Sequence, residues 1–89
     1  MAREKLLIVD DEEDILDLVR HHLNREGYEV HVAASGEQAL QLARSRHFHL
    51  MVLDLMLPGM DGLEVARQLK GDARTRALPI VMLTAKGEE

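Results

Sequence analysis

Short apolar runs alternate with longer amphipathic stretches along this chain. Leu6 to Val9 form a continuous apolar run between Lys5 and Asp10, as in a parallel strand covered on both faces. Ile15, Leu18, Val19, His22 and Leu23 then recur at helical spacing, and Gly27 supplies a C-terminal stop. Tyr28 to Ala33 reads as a second strand. Ser35, with Gln38 three residues on, forms a capping box for a second helix. That helix runs to about Ser45 and buries Ala39, Leu42 and Ala43. His49 to Asp54 is a third buried strand. Leu57-Pro-Gly-Met60 carries turn chemistry, and Asp61 caps a third helix whose apolar face holds Leu63, Ala66 and Leu69. Pro79 to Thr84 is a fourth strand, with proline tolerated at its first position. The order β-α-β-α-β-α-β predicts an α/β fold, one domain over residues 1–89, with a parallel sheet, helices on both faces and right-handed crossovers.

Composition narrows the function classes. At 46% hydrophobic and 30% charged, the 89 residues are globular in character. With no Trp, one Tyr and one Phe, aliphatic side chains must fill the core. Absence of cysteine excludes disulfides and thiolate chemistry. The first apolar run is too short for a membrane span or a signal-peptide core, so a cytoplasmic protein without membrane attachment is expected. A net charge of −5 disfavours direct nucleic-acid contact by these residues.

Chemistry concentrates where the strands end. Asp10 and Asp11 close the first apolar run, Asp54 the third and Thr84 the fourth. In open parallel sheets the ligand site lies beyond the carboxyl ends of the strands, where strand order reverses. An order of 2-1-3-4 brings Asp10, Asp11 and Asp54 into one cleft. Clustered carboxylates repel one another, and an all-oxygen site suits Mg²⁺ or Mn²⁺. A cation there prepares the site for a phosphoryl group, which Asp54 can accept as an acyl phosphate. Thr84 can hydrogen-bond a phosphoryl oxygen. Other polar residues have plainer readings: Asp61 caps a helix, Glu12 and Glu13 favour a first helical turn, and Arg44, Arg46, Arg74 and Arg76 are solvated. His47-x-His49 has no cysteine to support a metal reading and is taken as surface.

Three segments carry a family resemblance: Leu7-Ile-Val-Asp-Asp-Glu12, Leu53-Asp-Leu-Met-Leu-Pro-Gly-Met-Asp-Gly62 and Leu78-Pro-Ile-Val-Met-Leu-Thr-Ala-Lys-Gly87. In these the chain resembles response-regulator receiver domains, and most of all those joined to a winged-helix DNA-binding domain. The resemblance implies a flavodoxin-like sheet and a phosphorelay module that takes phosphate from a sensor histidine kinase. Asp54 matches the phosphoacceptor, Asp11 the direct Mg²⁺ carboxylate and Asp10 its water-mediated partner. Met56 matches the backbone carbonyl on the metal, Thr84 the switch hydroxyl, and Ala85 the small residue that leaves room for phosphate. Pro58 and Gly59 match the turn after the acceptor.

Receivers continue with a fourth helix, a fifth strand and a fifth helix, so the chain reads as a receiver truncated after the fourth strand. The family's phosphate-pairing lysine falls in the missing part; Lys86 is not its equivalent. Two expectations follow: impaired phosphorylation, and self-association through the exposed fourth-strand edge or by exchange of elements. A non-signalling, self-associating fragment is the alternative reading. An aspartate-nucleophile phosphatase is a third, but such enzymes typically need a second Asp two residues after the nucleophile. Met56 stands there, so a turnover enzyme is not expected.

Overall fold

A computed structural model describes residues 3–83. Its elements are β1 (Lys5–Val9), α1 (Glu13–Arg25), β2 (Glu29–Ala33), α2 (Gly36–Ser45), β3 (Leu50–Asp54), α3 (Gly62–Lys70) and β4 (Ile80–Leu83). The four strands form one parallel sheet in the order β2-β1-β3-β4. Both the alternation and the strand order expected from the sequence are present.

Alternation along each strand divides the core between two faces. Leu7 and Val9 of β1 join Met51 and Leu53 of β3 under α2 and α3, with Ala39, Leu40, Val65 and Leu69 closing that side. Leu6 and Ile8 face the other way and pack with Val30 and with Leu16 of α1. β1 is paired on both edges and buried on both faces, which is why it reads as an unbroken apolar run.

The helix ends follow local chemistry. Ser35 Oγ accepts from the Gln38 N–H at 3.2 Å, while Gln38 Oε1 accepts from the Ala34 N–H at 2.9 Å. Asp61 caps α3 by accepting from the Glu64 N–H at 3.0 Å. At the end of α1, Gly27 takes φ 101°, with Gly27 N–H bonded to Asn24 O and Tyr28 N–H to Leu23 O. That pair of bonds is a Schellman motif, which a left-handed glycine makes possible.

Two helices present different stripes from those expected. In α1 the core residue is Leu16, with Val19 and Leu23 half-buried beside it, whereas Ile15 and Leu18 are 41% and 59% exposed. Ile15 and Leu16 are both apolar, as are Leu18 and Val19, so two stripes offset by one position fit helical spacing. The sheet selects one of them. In α3, Val65 is buried with Ala66 and Leu69, and Leu63 is exposed.

β4 is less covered than its neighbours. Val81 aligns with Val52, which packs on the α1 side, so Val81 faces that side too. α1 sits over β1 and β2, and Val81 and Leu83 are each 47% exposed. Four strands and three helices are present among the described residues.

Candidate functional site

β1 and β3 lie side by side at the centre of the sheet, and from them the chain extends outward to β2 on one side and β4 on the other. Strand order therefore reverses between them, which is where a parallel sheet opens a crevice at its carboxyl edge. Asp10 directly follows the last residue of β1, and Asp54 is the last residue of β3. Asp10, Asp11 and Asp54 each bring a carboxylate oxygen within 4.8 Å of the others.

Backbone contacts orient two of these side chains. Asp10 Oδ1 accepts from the Glu12 N–H at 2.9 Å, and Asp54 Oδ1 accepts from the Met56 N–H at 3.0 Å. Each carboxylate is thus held by the amide two residues on, in an Asx turn, and keeps its other oxygen for a ligand. The Asp10 N–H is itself tied to Ala33 O at 3.1 Å. Asp10 is 9% exposed, Asp54 is half-buried and Asp11 is open to solvent. The cleft therefore grades from a sheltered floor to a wet rim.

The segment after β3 is pinned on both sides. Leu55 N–H donates to Leu83 O on β4, and Gly62 N–H donates to Leu55 O from the start of α3. Leu57 is buried as an apolar anchor, and Gly59 takes the left-handed φ of 73°. Gly62 has no room for a side chain: a Cβ there would lie 2.6 Å from Asp54 O and 2.8 Å from Leu55 Cα. Gly62 was not singled out from the sequence. The available signal was a glycine immediately after a helix-capping Asp, at a position where helices rarely favour one.

The donor set fits a hard divalent cation. Ligand distances of about 2.1 Å place opposite oxygens about 4.2 Å apart around Mg²⁺, so small side-chain adjustments suffice from the observed cluster. None of the ion pairs among the described residues uses any of the three carboxylates. Lys5 opens β1, at the sheet end opposite the cleft, and Lys70 donates to Arg76 O and Leu78 O, on the segment leading into β4. Met56 lies two residues past the end of β3, where its N–H closes the turn on Asp54, and is 65% exposed. Thr84 and Ala85 lie outside the described residues, as does Lys86. His47 and His49 stand together at the strands' amino ends, ring centroids 4.9 Å apart, and play no part in this cleft. No helix among the described residues is long and apolar enough to cross a membrane.

Comparison with known proteins gives a consistent family and fold. The family described as the response regulator receiver domain matches residues 6–89. The chain is 48% identical over 85 residues to the transcriptional regulatory protein SrrA of Staphylococcus aureus, covering 96% of this chain but only 34% of that protein. The fold superimposes with a TM-score of 0.90 on the Vibrio cholerae chemotaxis protein CheY4, at 36% identity, covering 98% of this chain and 72% of the other. It also matches the Thermotoga maritima response regulator TrrA, solved in complex with Mg²⁺ and BeF, with a TM-score of 0.85 and 38% identity over 94% of this chain and 71% of that one.

Proposed function

Since the chain belongs to the response regulator receiver family, we propose that it is a phosphoacceptor module and that Asp54 is the residue that becomes phosphorylated. The observation that carries this reading is the convergence of Asp10, Asp11 and Asp54 at the switch point of the sheet. The phosphoryl donor is the phosphohistidine of a sensor histidine kinase. An Asp54 oxygen attacks phosphorus in line, the P–N bond breaks, and its electron pair returns to the imidazole, which takes a proton from solvent. The product is an acyl phosphate on Asp54.

Asp11, Asp10, Asp54 and the Met56 carbonyl form the seat for Mg²⁺, or for Mn²⁺. A divalent ion bound there would screen the carboxylates from the incoming phosphoryl oxygens. Asp10 holds its orientation through the Glu12 amide, and Asp54 through the Met56 amide. Thr84 is the hydroxyl that reports the modified state, and Ala85 leaves the phosphoryl group its space. Met56 occupies the place where a second Asp would support hydrolytic turnover, so the chain is a signalling module rather than an enzyme. SrrA is a transcriptional regulatory protein of which this chain covers 34%; by analogy the output is control of transcription, and a cytoplasmic setting suits such a module.

Asp54→Asn is the direct test. Incubation with a phosphorylated histidine kinase should label the native chain with acid-stable, hydroxylamine-sensitive phosphate and leave Asp54→Asn unlabelled. Labelling that survives in Asp54→Asn removes the assignment. Among the described residues no lysine lies at the cleft. The 89-residue molecule should therefore label more slowly than a receiver whose site holds a lysine.

A second reading concerns the same molecule as an assembly. The exposed apolar side chains of β4 favour self-association of the 89-residue chain, through strand pairing or exchange of elements.

A further inference from the structure

The end of the sheet opposite the acidic cleft carries a recess of different chemistry. It has a volume of about 240 Å³. Arg46, His47, His49 and Arg74 line it with nitrogen donors, and the buried side chains of Phe48 and Leu78 give it an apolar floor. No carboxylate is part of its lining.

Two features decide which ligand this recess suits. The first is the state of His49. Its Nδ1 accepts the Lys5 backbone N–H at 2.9 Å, so its ring proton sits on Nε2. A ring in that state donates a hydrogen bond and offers no lone pair to a metal, so the His47-x-His49 pair is not a chelating site. The second is the local charge. Asp72 lies nearby but is shared between Arg74 at 2.9 Å and Arg44 at 3.3 Å, so one carboxylate faces two guanidinium groups. Arg46 has no ion-pair partner among the described residues. Glu29 lines the adjoining recess with Arg46 and His47, where it bonds His31; set with Asp72 against Lys5, Arg44, Arg46 and Arg74 it still leaves this end positive, on a chain whose net charge is −5.

A plainer role for these cations is to offset the negative ends of the helices, since Arg46 directly follows α2 and Arg74 lies beyond the end of α3. That role needs no recess and no apolar floor, and it does not fix the His49 ring as a donor. We propose that this recess binds a small phosphomonoester. The dianionic head would meet the Arg46 fork, the His49 Nε2–H and those Arg74 donors that Asp72 does not take, and the compact apolar body would lie on Phe48 and Leu78. Guanidinium groups suit a phosphate head because their fork of donors matches its oxygens. The site is independent of Asp54 and lies at the other end of the same strands.

Amide NMR titration of the Mg²⁺-free 89-residue chain tests this, with phenyl phosphate and inorganic phosphate as separate probes. Phenyl phosphate should shift the amides of Arg46 to His49, Arg74 and Leu78 saturably, and bind at least tenfold more tightly than inorganic phosphate. Arg46→Gln alters an exposed side chain. It should weaken phenyl phosphate binding at least fivefold while leaving the melting temperature unchanged. Shifts centred on Asp10 and Asp54, equal binding of the two probes, or undiminished binding by Arg46→Gln would each overturn the proposal.

Discussion

Gly62 shows how one missing side chain shapes the cleft. A Cβ there would press on the backbone that carries Asp54 and Leu55, and those atoms cannot swing aside as a side-chain tip would. Gly62→Ala should cost about 1–3 kcal/mol through overpacking, against a helix-propensity gain of about 1 kcal/mol. Because the displaced backbone is that of Asp54, Mg²⁺ affinity should fall together with the melting temperature. Unchanged Mg²⁺ affinity in a folded Gly62→Ala chain would show that the close approach is unrelated to the cleft. Asp72 offers a second test at this scale. Side-chain hydrogen bonds from Arg74, then the Arg74 backbone N–H, lower its pKa from an ordinary 3.8 to about 2. The folded chain thus binds this proton more weakly than the unfolded chain. The resulting stability is present above 3.8 and is lost as pH falls towards 2. Acid melts of Asp72→Asn should show a shallower decline across that window than the native chain. An identical decline would mean that the Arg74 bonds do not persist in solution.

At the level of elements, sequence and structure part company for identifiable reasons. Caps and stops were legible because Ser35, Asp61 and Gly27 each perform a local task that neighbouring residues cannot undo. β1 was legible because a doubly covered strand needs an unbroken apolar run. The stripes of α1 and α3 were not, because apolar residues one or two positions apart, Ile15 with Leu16 and Leu63 with Val65, allow more than one helical register. Only packing on the sheet chooses Leu16 and Val65. β4 was legible as a strand, and its exposure follows from where it stands in the sheet. Val81 and Leu83 lie on the α1 face of the sheet, beyond the strands β1 and β2 that α1 covers. Burying such surface is worth roughly 25 cal/mol per Å², and β4, an edge strand among the described residues, adds backbone groups that another strand can pair. The 89-residue chain should therefore sediment as a concentration-dependent self-associated species, and Val81→Lys should shift it towards monomer. A monomer over the whole accessible concentration range would dispose of that reading.

Over the whole molecule, charge is segregated in a way that a net value of −5 conceals. The carboxylates of Asp10, Asp11 and Asp54 meet at the strands' carboxyl ends, while Arg46, His47 and His49 gather at the other end. The acidic cleft was legible in the sequence because strand ends and strand order suffice to bring its members together. The basic recess was not, since Arg46 and Arg74 are separated along the chain and meet only through the fold. Carboxylates brought this close repel one another when ionised, and a divalent ion bound among them would offset that repulsion. A ligand held only by the folded state stabilises it by about 1.4 kcal/mol at tenfold over its dissociation constant. For a domain of this size that corresponds to a rise in melting temperature of about 6–11 °C. MgCl₂ should produce this rise, and NaCl at matched ionic strength should produce much less, because a screening ion does not bridge carboxylates. Asp11→Asn removes one of the three charges from an exposed position. It should melt higher than the native chain without Mg²⁺ and gain little when Mg²⁺ is added. The two changes have opposite signs and one cause. A variant that loses stability without Mg²⁺, or that keeps the full Mg²⁺ increment, would mean that repulsion among these carboxylates is not what the cation relieves.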